Sequence, residues 1–198
     1  MKNDKKNIIG YIEGYYGRIL SWKNRELIIK SLYKNKMNTY FYAPKEDICH
    51  RTCWRKTYSK KWRLNFQNFT QLCKKNNINV IAGIAPGLDF DFKDLQNVSK
   101  IYENKDFALL YKKAKQLLND GATSIALMLD DIPNDFKKKF GNDVSEGRYH
   151  GILANQLSYK LGQNICIVPR VYADELISDD PTYLQDLSET LSSKIKVF

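Results

Sequence analysis

The sequence predicts an α/β fold built on a parallel sheet, and three observations predict it. Short apolar runs rich in β-forming residues recur along the 198 residues, amphipathic helical stripes lie between them, and Pro44, Pro86, Pro133 and Pro169 stand just beyond the ends of such runs. Strand, helix and strand repeating at roughly 30 to 45 residues is the rhythm of right-handed βαβ units. A proline at a strand exit no longer disrupts a central ladder, so the four prolines mark where strands end. With 43% hydrophobic and 13% aromatic residues, the chain can bury the core of one domain, expected to span 1–198.

In chain order, the first strand is expected at residues 8–12, closed by Glu13. A helix follows from Ser21, a suitable N-cap, and is expected to bury Leu27, Ile28 and Leu32. Strands are then expected at 39–43 and 80–85. The next helix carries Phe107, Leu110, Ala114, Leu117 and Leu118 on one face and ends at Gly121. A strand at 124–129 leads to a helix over 145–161, with Tyr149, Ile152, Leu153, Leu157 and Leu161 on its apolar face and Gly162 as its stop. Strands at 165–168 and 195–198 complete the pattern.

Charge narrows the function classes. The formal net charge is +10, but lysine far outnumbers arginine and is scattered in pairs such as Lys60-Lys61, Lys74-Lys75 and Lys112-Lys113. These are expected on solvated helix faces, so no nucleic-acid partner is expected. No run is long enough for a membrane span, and the basic opening carries no signal-peptide core, so a cytoplasmic protein is expected. Cys49, Cys53, Cys73 and Cys166 contain no C-x-x-C pair and read as reduced thiols. Neither G-x-G-x-x-G after the first strand nor a P-loop is present, and no cofactor or metal is expected.

Polar residues gather beside the predicted strand exits: Lys45, Glu46 and Asp47, then Asp89, then Asp130 and Asp131, then Arg170 and Tyr172. A parallel barrel places all of these on one rim, and an open doubly wound sheet also places its site at strand C-termini. Asp130 and Asp131 directly follow the run SIALML. Neighbouring strand residues face opposite ways, so both acids reach one pocket only where the strand has ended. Adjacent acids repel, which divides them into a proton donor and a standing anion, the division glycoside cleavage requires. Their Cα atoms lie about 3.8 Å apart. That is too close to enclose an attacking water across a sugar, so a glycosidase using this pair retains configuration.

The segments GYIEGYYGR (10–18), YFYAPKED (40–47), HRTCWRKTY (50–58), APGLDF (85–90) and ALMLDDI (126–132) resemble, in order and spacing, glycoside hydrolase family 84. That family comprises β-N-acetylglucosaminidases, among them O-GlcNAcases and enzymes named hyaluronidases. The resemblance implies a (β/α)8 barrel, here incomplete, with about five β/α units and the start of a sixth strand. It also implies substrate-assisted cleavage, in which the 2-acetamido oxygen of the sugar attacks the anomeric carbon to form an oxazoline. By this resemblance Asp130 polarises the acetamide and Asp131 is the general acid and base. Gly14 presents its carbonyl to a sugar hydroxyl, Tyr16 and Tyr172 line the pocket, and Lys45 binds ring hydroxyls. The implied partner is a glycan or glycoprotein bearing terminal N-acetylglucosamine. His50, Arg51, Trp54 and Arg55 are expected to form a packed, salt-bridged loop paired with Glu46 or Asp47, with Asp89 supporting it.

Two departures from the family pattern stand out. VPRVYAD (168–174) keeps Tyr172 but places Arg170 where the family has a small polar residue, so an altered rim is expected. The chain also stops at KIKVF, where the family's sixth strand runs into a Trp-Thr-Gly segment followed by sugar-binding Asn and Asp residues. The alternatives are therefore an inactive remnant or weak N-acetylglucosamine binder, an enzyme completed by a separate chain, or a metal-dependent barrel hydrolase with Asp130 and Asp131 as ligands.

Overall fold

The computed structural model describes residues 7–93, 95, 100–141 and 143–198; the basic opening of the chain lies outside them. Six strands form one parallel sheet in sequential order: β1 (Gly10–Glu13), β2 (Thr39–Tyr42), β3 (Asn79–Ile84), β4 (Ser124–Met128), β5 (Cys166–Val168) and β6 (Lys196–Val197). Helices α1 (Trp22–Lys34), α2 (Lys60–Lys75), α3 (Lys105–Asn119), α4 (Phe136–Phe140), α5 (Glu146–Leu161) and α6 (Tyr183–Thr190) fill the crossovers. The sheet curls into an incomplete (β/α) barrel, and the Phe41 ring on β2 meets the Phe198 ring beyond β6 with centroids 5.5 Å apart. No described helix is long and apolar enough to cross a membrane.

Strand alternation divides the core in two. Phe41, Ala43, Ile81, Ala85, Ala126, Met128 and Cys166 cluster on the concave face. Tyr40, Tyr42, Val80, Ala82, Ile84, Ile125, Leu127, Leu129 and Ile167 pack outward with the helices. Gly83 falls on the concave face of β3, where a Cβ would lie 2.7 Å from Met128 Sδ, 2.9 Å from Ala43 Cβ and 3.0 Å from His50 Cε1. The missing side chain thus makes room for the His50 ring. Gly83→Ala is expected to destabilise by about 1–3 kcal/mol through overpacking, read as a thermal midpoint lowered by several degrees.

All six predicted strands and the three predicted helices form. Ser21 caps α1 by accepting the Asn24 N–H at 3.1 Å, and Gly162 ends α5 in the left-handed conformation at φ 67°. The inner face of α1 differs from expectation: Arg25, Ile29 and Leu32 are buried, Ile28 is half-buried and Leu27 is exposed. The phase turns because Arg25 faces inward to meet Glu13 on β1. Lys113 also departs from its predicted solvated face. It is buried, donates to the Lys56 carbonyl and lies 4.2 Å from the Tyr58 ring centroid. The other five lysines of the three pairs are exposed. The four cysteines are free thiols.

Candidate active site

The site assembles at the C-terminal ends of the strands. Inward alternation along β4 passes from Ala126 through Met128 and carries on to Asp130, which is 9% exposed. A continued strand would send Asp131 to the opposite, helix-facing side. Instead Asp131 takes a left-handed backbone at φ 54°, rare for a residue with a Cβ, and its side chain turns back into the same pocket. Both carboxylates consequently reach one cation. Lys45 Nζ lies 2.5 Å from Asp130 Oδ2 and 3.1 Å from Asp131 Oδ2, and the lysine side chain is buried.

Two tyrosines complete the support of Asp131. Tyr16, after β1, donates its hydroxyl to Asp131 Oδ2 at 3.1 Å, and Tyr172, after β5, donates to Oδ1 at 2.9 Å. Burial alone would raise the Asp131 pKa, but hydrogen bonds from Lys45 and Tyr172, the Lys45 charge and the Tyr16 bond outweigh it. The carboxyl is held below the ordinary aspartate range, so these contacts keep Asp131 ionised. Asp130 is satisfied on one side only: its Oδ1 is buried and has no hydrogen-bond partner among the described residues. A buried acceptor left this way favours a ligand that brings an N–H or O–H donor.

Five of the six predicted site residues, Tyr16, Lys45, Asp130, Asp131 and Tyr172, thus meet around one pair of carboxylates. Gly14 stands at the exit of β1, half-buried, where a Cβ would touch only Ile12 Cγ2 at 3.0 Å. The loop after β2 is packed and salt-bridged, though with different partners from those expected. Arg55 pairs with Asp106 at 2.6 Å and Asp89 at 2.5 Å, while Glu46 is exposed. Asp47 is buried and accepts from the Tyr42 and Tyr58 hydroxyls at Oδ2, at 2.7 and 3.0 Å, and from the Cys49 N–H at Oδ1, at 2.9 Å, so it ties the loop to the core by hydrogen bonds and not by an ion pair. Asp89 supports this loop by accepting from Trp54 Nε1 at 2.8 Å as well as from Arg55.

His50 is fully buried with Nδ1 2.9 Å from the Gly83 carbonyl, and burial lowers its pKa to about 4, leaving a neutral ring at pH 7. Arg170 does not crowd the rim. Its guanidinium is buried behind it, with Nε donating to Glu146 Oε2 at 2.6 Å and NH2 3.6 Å from Asp180 Oδ2. Sequence reasoning gave no site role to Arg51, whose NH2 donates to the Asp131 carbonyl at 2.7 Å. The only available signal was its place in the same loop as Lys45.

A family model described as beta-N-acetylglucosaminidase matches residues 9–198. Protein O-GlcNAcase of Rattus norvegicus and that of Mus musculus are each 33% identical over 131 residues, 66% of this chain and 13% of the relative. The solved structure of CpGH84B superimposes with a TM-score of 0.80 at 28% identity, covering 96% of this chain and 32% of the other. A point mutant of Thermobaculum terrenum O-GlcNAc hydrolase gives 0.82 at 24% identity, covering 96% and 40%; at that identity the likeness is one of fold. This chain therefore spans a minor part of each of these relatives.

Proposed function

Because this chain belongs to the β-N-acetylglucosaminidase family, we propose that it carries the acid pair of a retaining glycosidase that removes terminal N-acetylglucosamine from a glycan or glycoprotein. The observation that carries the reading is the pairing of a half-satisfied Asp130 with an Asp131 turned back beside it. The buried Asp130 Oδ1 lacks a donor, and the N–H of a 2-acetamido group is a donor of the required kind. Holding that N–H would aim the acetamide oxygen at the anomeric carbon and stabilise the positive charge that spreads over the forming oxazoline.

Asp131 gives its proton to the departing oxygen, then takes one from the water that opens the oxazoline. The sugar supplies its own nucleophile, and two displacements at one carbon leave the configuration retained. The spacing agrees, since one ammonium touches both carboxylates, whereas an inverting pair stands about 6.5–9.5 Å apart. Lys45, Tyr16 and Tyr172 are the donors closest to the pair and would turn to the sugar hydroxyls, with Gly14 leaving the β1 exit open to it.

The test is a comparison of an aryl N-acetyl-β-glucosaminide with the matching aryl glucoside, which has no acetamide. The first should turn over with the β-anomer as initial product by NMR. The second should react at least about 100-fold more slowly, because it lacks the internal nucleophile. Binding of N-acetylglucosamine without turnover of either substrate would reduce the site to a binding role. Equal rates would overturn the acetamide's part.

A further inference from the structure

We propose that Arg51 is a positioning residue for Asp131: it fixes the left-handed turn through the main-chain carbonyl, so that both carboxylates face the one Lys45 ammonium. The turn is the unusual feature of the site, since an aspartate at φ 54° is uncommon and carries a backbone strain that its surroundings must offset. Arg51 is the contact that reaches the main chain there, donating from NH2 to the Asp131 carbonyl at 2.7 Å across 80 residues of sequence. The same guanidinium lies 5.8 Å from the centroid of the Tyr16 ring, and Tyr16 donates to Asp131 Oδ2. One side chain therefore braces Asp131 directly and braces the phenol that holds its carboxylate.

The planar guanidinium suits this double duty, because it can stack by its face while donating from its edge; a lysine offers only a point charge. Its base is rigid. The Arg51 and His50 N–H groups both donate to the Asp47 carbonyl, at 3.3 and 2.9 Å, and the neighbouring His50 ring is locked against Gly83 in the barrel interior. The loop after β2 thus grips the acid pair twice, with Lys45 on the carboxylates and Arg51 on the backbone. The groups facing the Asp131 carboxylate are Lys45, Tyr16, Tyr172 and Asp130, so Arg51 acts on its titration by keeping those donors in register.

The kinetic part of the test rests on Asp131 being the general acid; the titration part does not. The full chain, Arg51→Ala and Arg51→Lys are compared by carboxyl 13C NMR, with the Asp131 signal assigned by its loss in Asp131→Asn. In Arg51→Ala the Asp131 midpoint should rise by about one pH unit as its donors fall out of register, and Arg51→Lys should restore part of the shift. On an aryl N-acetylglucosaminide, kcat should fall on the order of 100-fold with little change in KM, and millimolar guanidinium should recover part of it.

A cooperatively melting Arg51→Ala whose Asp131 titrates as in the parent overturns the proposal. If that variant does not melt cooperatively, Arg51→Gln, which keeps part of the packing stem, makes the same comparison with the same two outcomes. A parent chain without turnover removes the functional reading and leaves the titration to decide the positioning role.

Discussion

Asp131→Asn is expected to lower kcat on an N-acetylglucosaminide with a poor leaving group by about 10²–10⁴-fold, the span that general acid catalysis typically contributes. Asparagine keeps the shape and its one side-chain oxygen can still accept from Tyr16 or Tyr172, while its NH2 meets the other hydroxyl as a donor; it has no acidic proton to give. The loss should shrink as the leaving group becomes more acidic, because a phenolate that departs readily needs little protonation. A series of aryl glycosides of graded phenol pKa measures that slope directly. Folding should change little, since the substitution removes one of two like charges that share Lys45. Equal rates in the two proteins across the series would end the assignment of Asp131 as the acid.

The proton also predicts a pH signature. With Lys45, Tyr172 and Tyr16 turned to its carboxylate, Asp131 is held below its ordinary pKa, so the protonated form that the reaction needs is scarce at neutral pH. Substrate that draws Lys45, Tyr16 and Tyr172 to its hydroxyls removes the stabilisation of the anion, and the pKa rises in the complex. Binding then takes up a proton. The basic limb of kcat, which reports the complex, should lie at higher pH than that of kcat/KM, which reports the free enzyme. KM should accordingly increase with pH between the two limbs.

The fold was legible because short apolar runs rich in β-formers and proline placement are local signals. Pro44, Pro86 and Pro169 each follow a strand exit closely, and the run 124–129 ends where the acids begin. Helices α2 and α6 were less legible. The buried stripe of α2 is Phe66, Phe69, Thr70 and Cys73, with Trp62 partly buried, set among lysines that disguise its face. The inner face of α1 was misjudged for a related reason: hydrophobic periodicity has no way to select Arg25, whose burial depends on a carboxylate 12 residues away.

At the site, the carboxylates and Lys45 could be named from motifs. What could not be read was the left-handed turn at Asp131, because nothing in ALMLDDI requires a positive φ at an aspartate. The same holds for Arg51, whose contact with that turn spans 80 residues. A polar loop residue with a distant main-chain partner carries no sequence pattern at all.

The Arg25 that upset the reading of α1 also supplies the largest expected stability effect. Glu13 is fully buried at the end of β1 and accepts from Arg25 Nε at 2.9 Å, Arg25 NH2 at 2.7 Å and the Tyr40 hydroxyl at 2.7 Å. Arg25 in turn lies 4.6 Å from the Trp22 ring centroid and 5.0 Å from that of Tyr42, enclosed between aromatic faces. Glu13→Ala leaves that guanidinium buried without a counter-ion and the Tyr40 hydroxyl without an acceptor. Breaking a buried pair in this way costs about 3–5 kcal/mol. Total stability for a domain is about 5–15 kcal/mol, so the variant should lose roughly a fifth or more of it.

Urea unfolding of the parent and of Glu13→Ala measures the difference, and a loss below about 1 kcal/mol would show that the pair contributes no more than an exposed one. A second variant separates charge from packing. In Glu13→Gln with Arg25→Met the buried charges vanish while volume is largely kept and the glutamine oxygen can still accept from Tyr40, so part of the lost stability should return, less the cost of the unpaired amide N–H groups. Activity need not return with it. Glu13 directly precedes Gly14, Tyr15 and Tyr16, and Tyr16 reaches Asp131 only from a β1 exit held in register with β2, where the Ala43 N–H donates to the Glu13 carbonyl at 3.1 Å. A double variant that is stable yet slow would place the value of the ion pair in aiming the β1 exit at the acid pair, beyond its share in holding the barrel together.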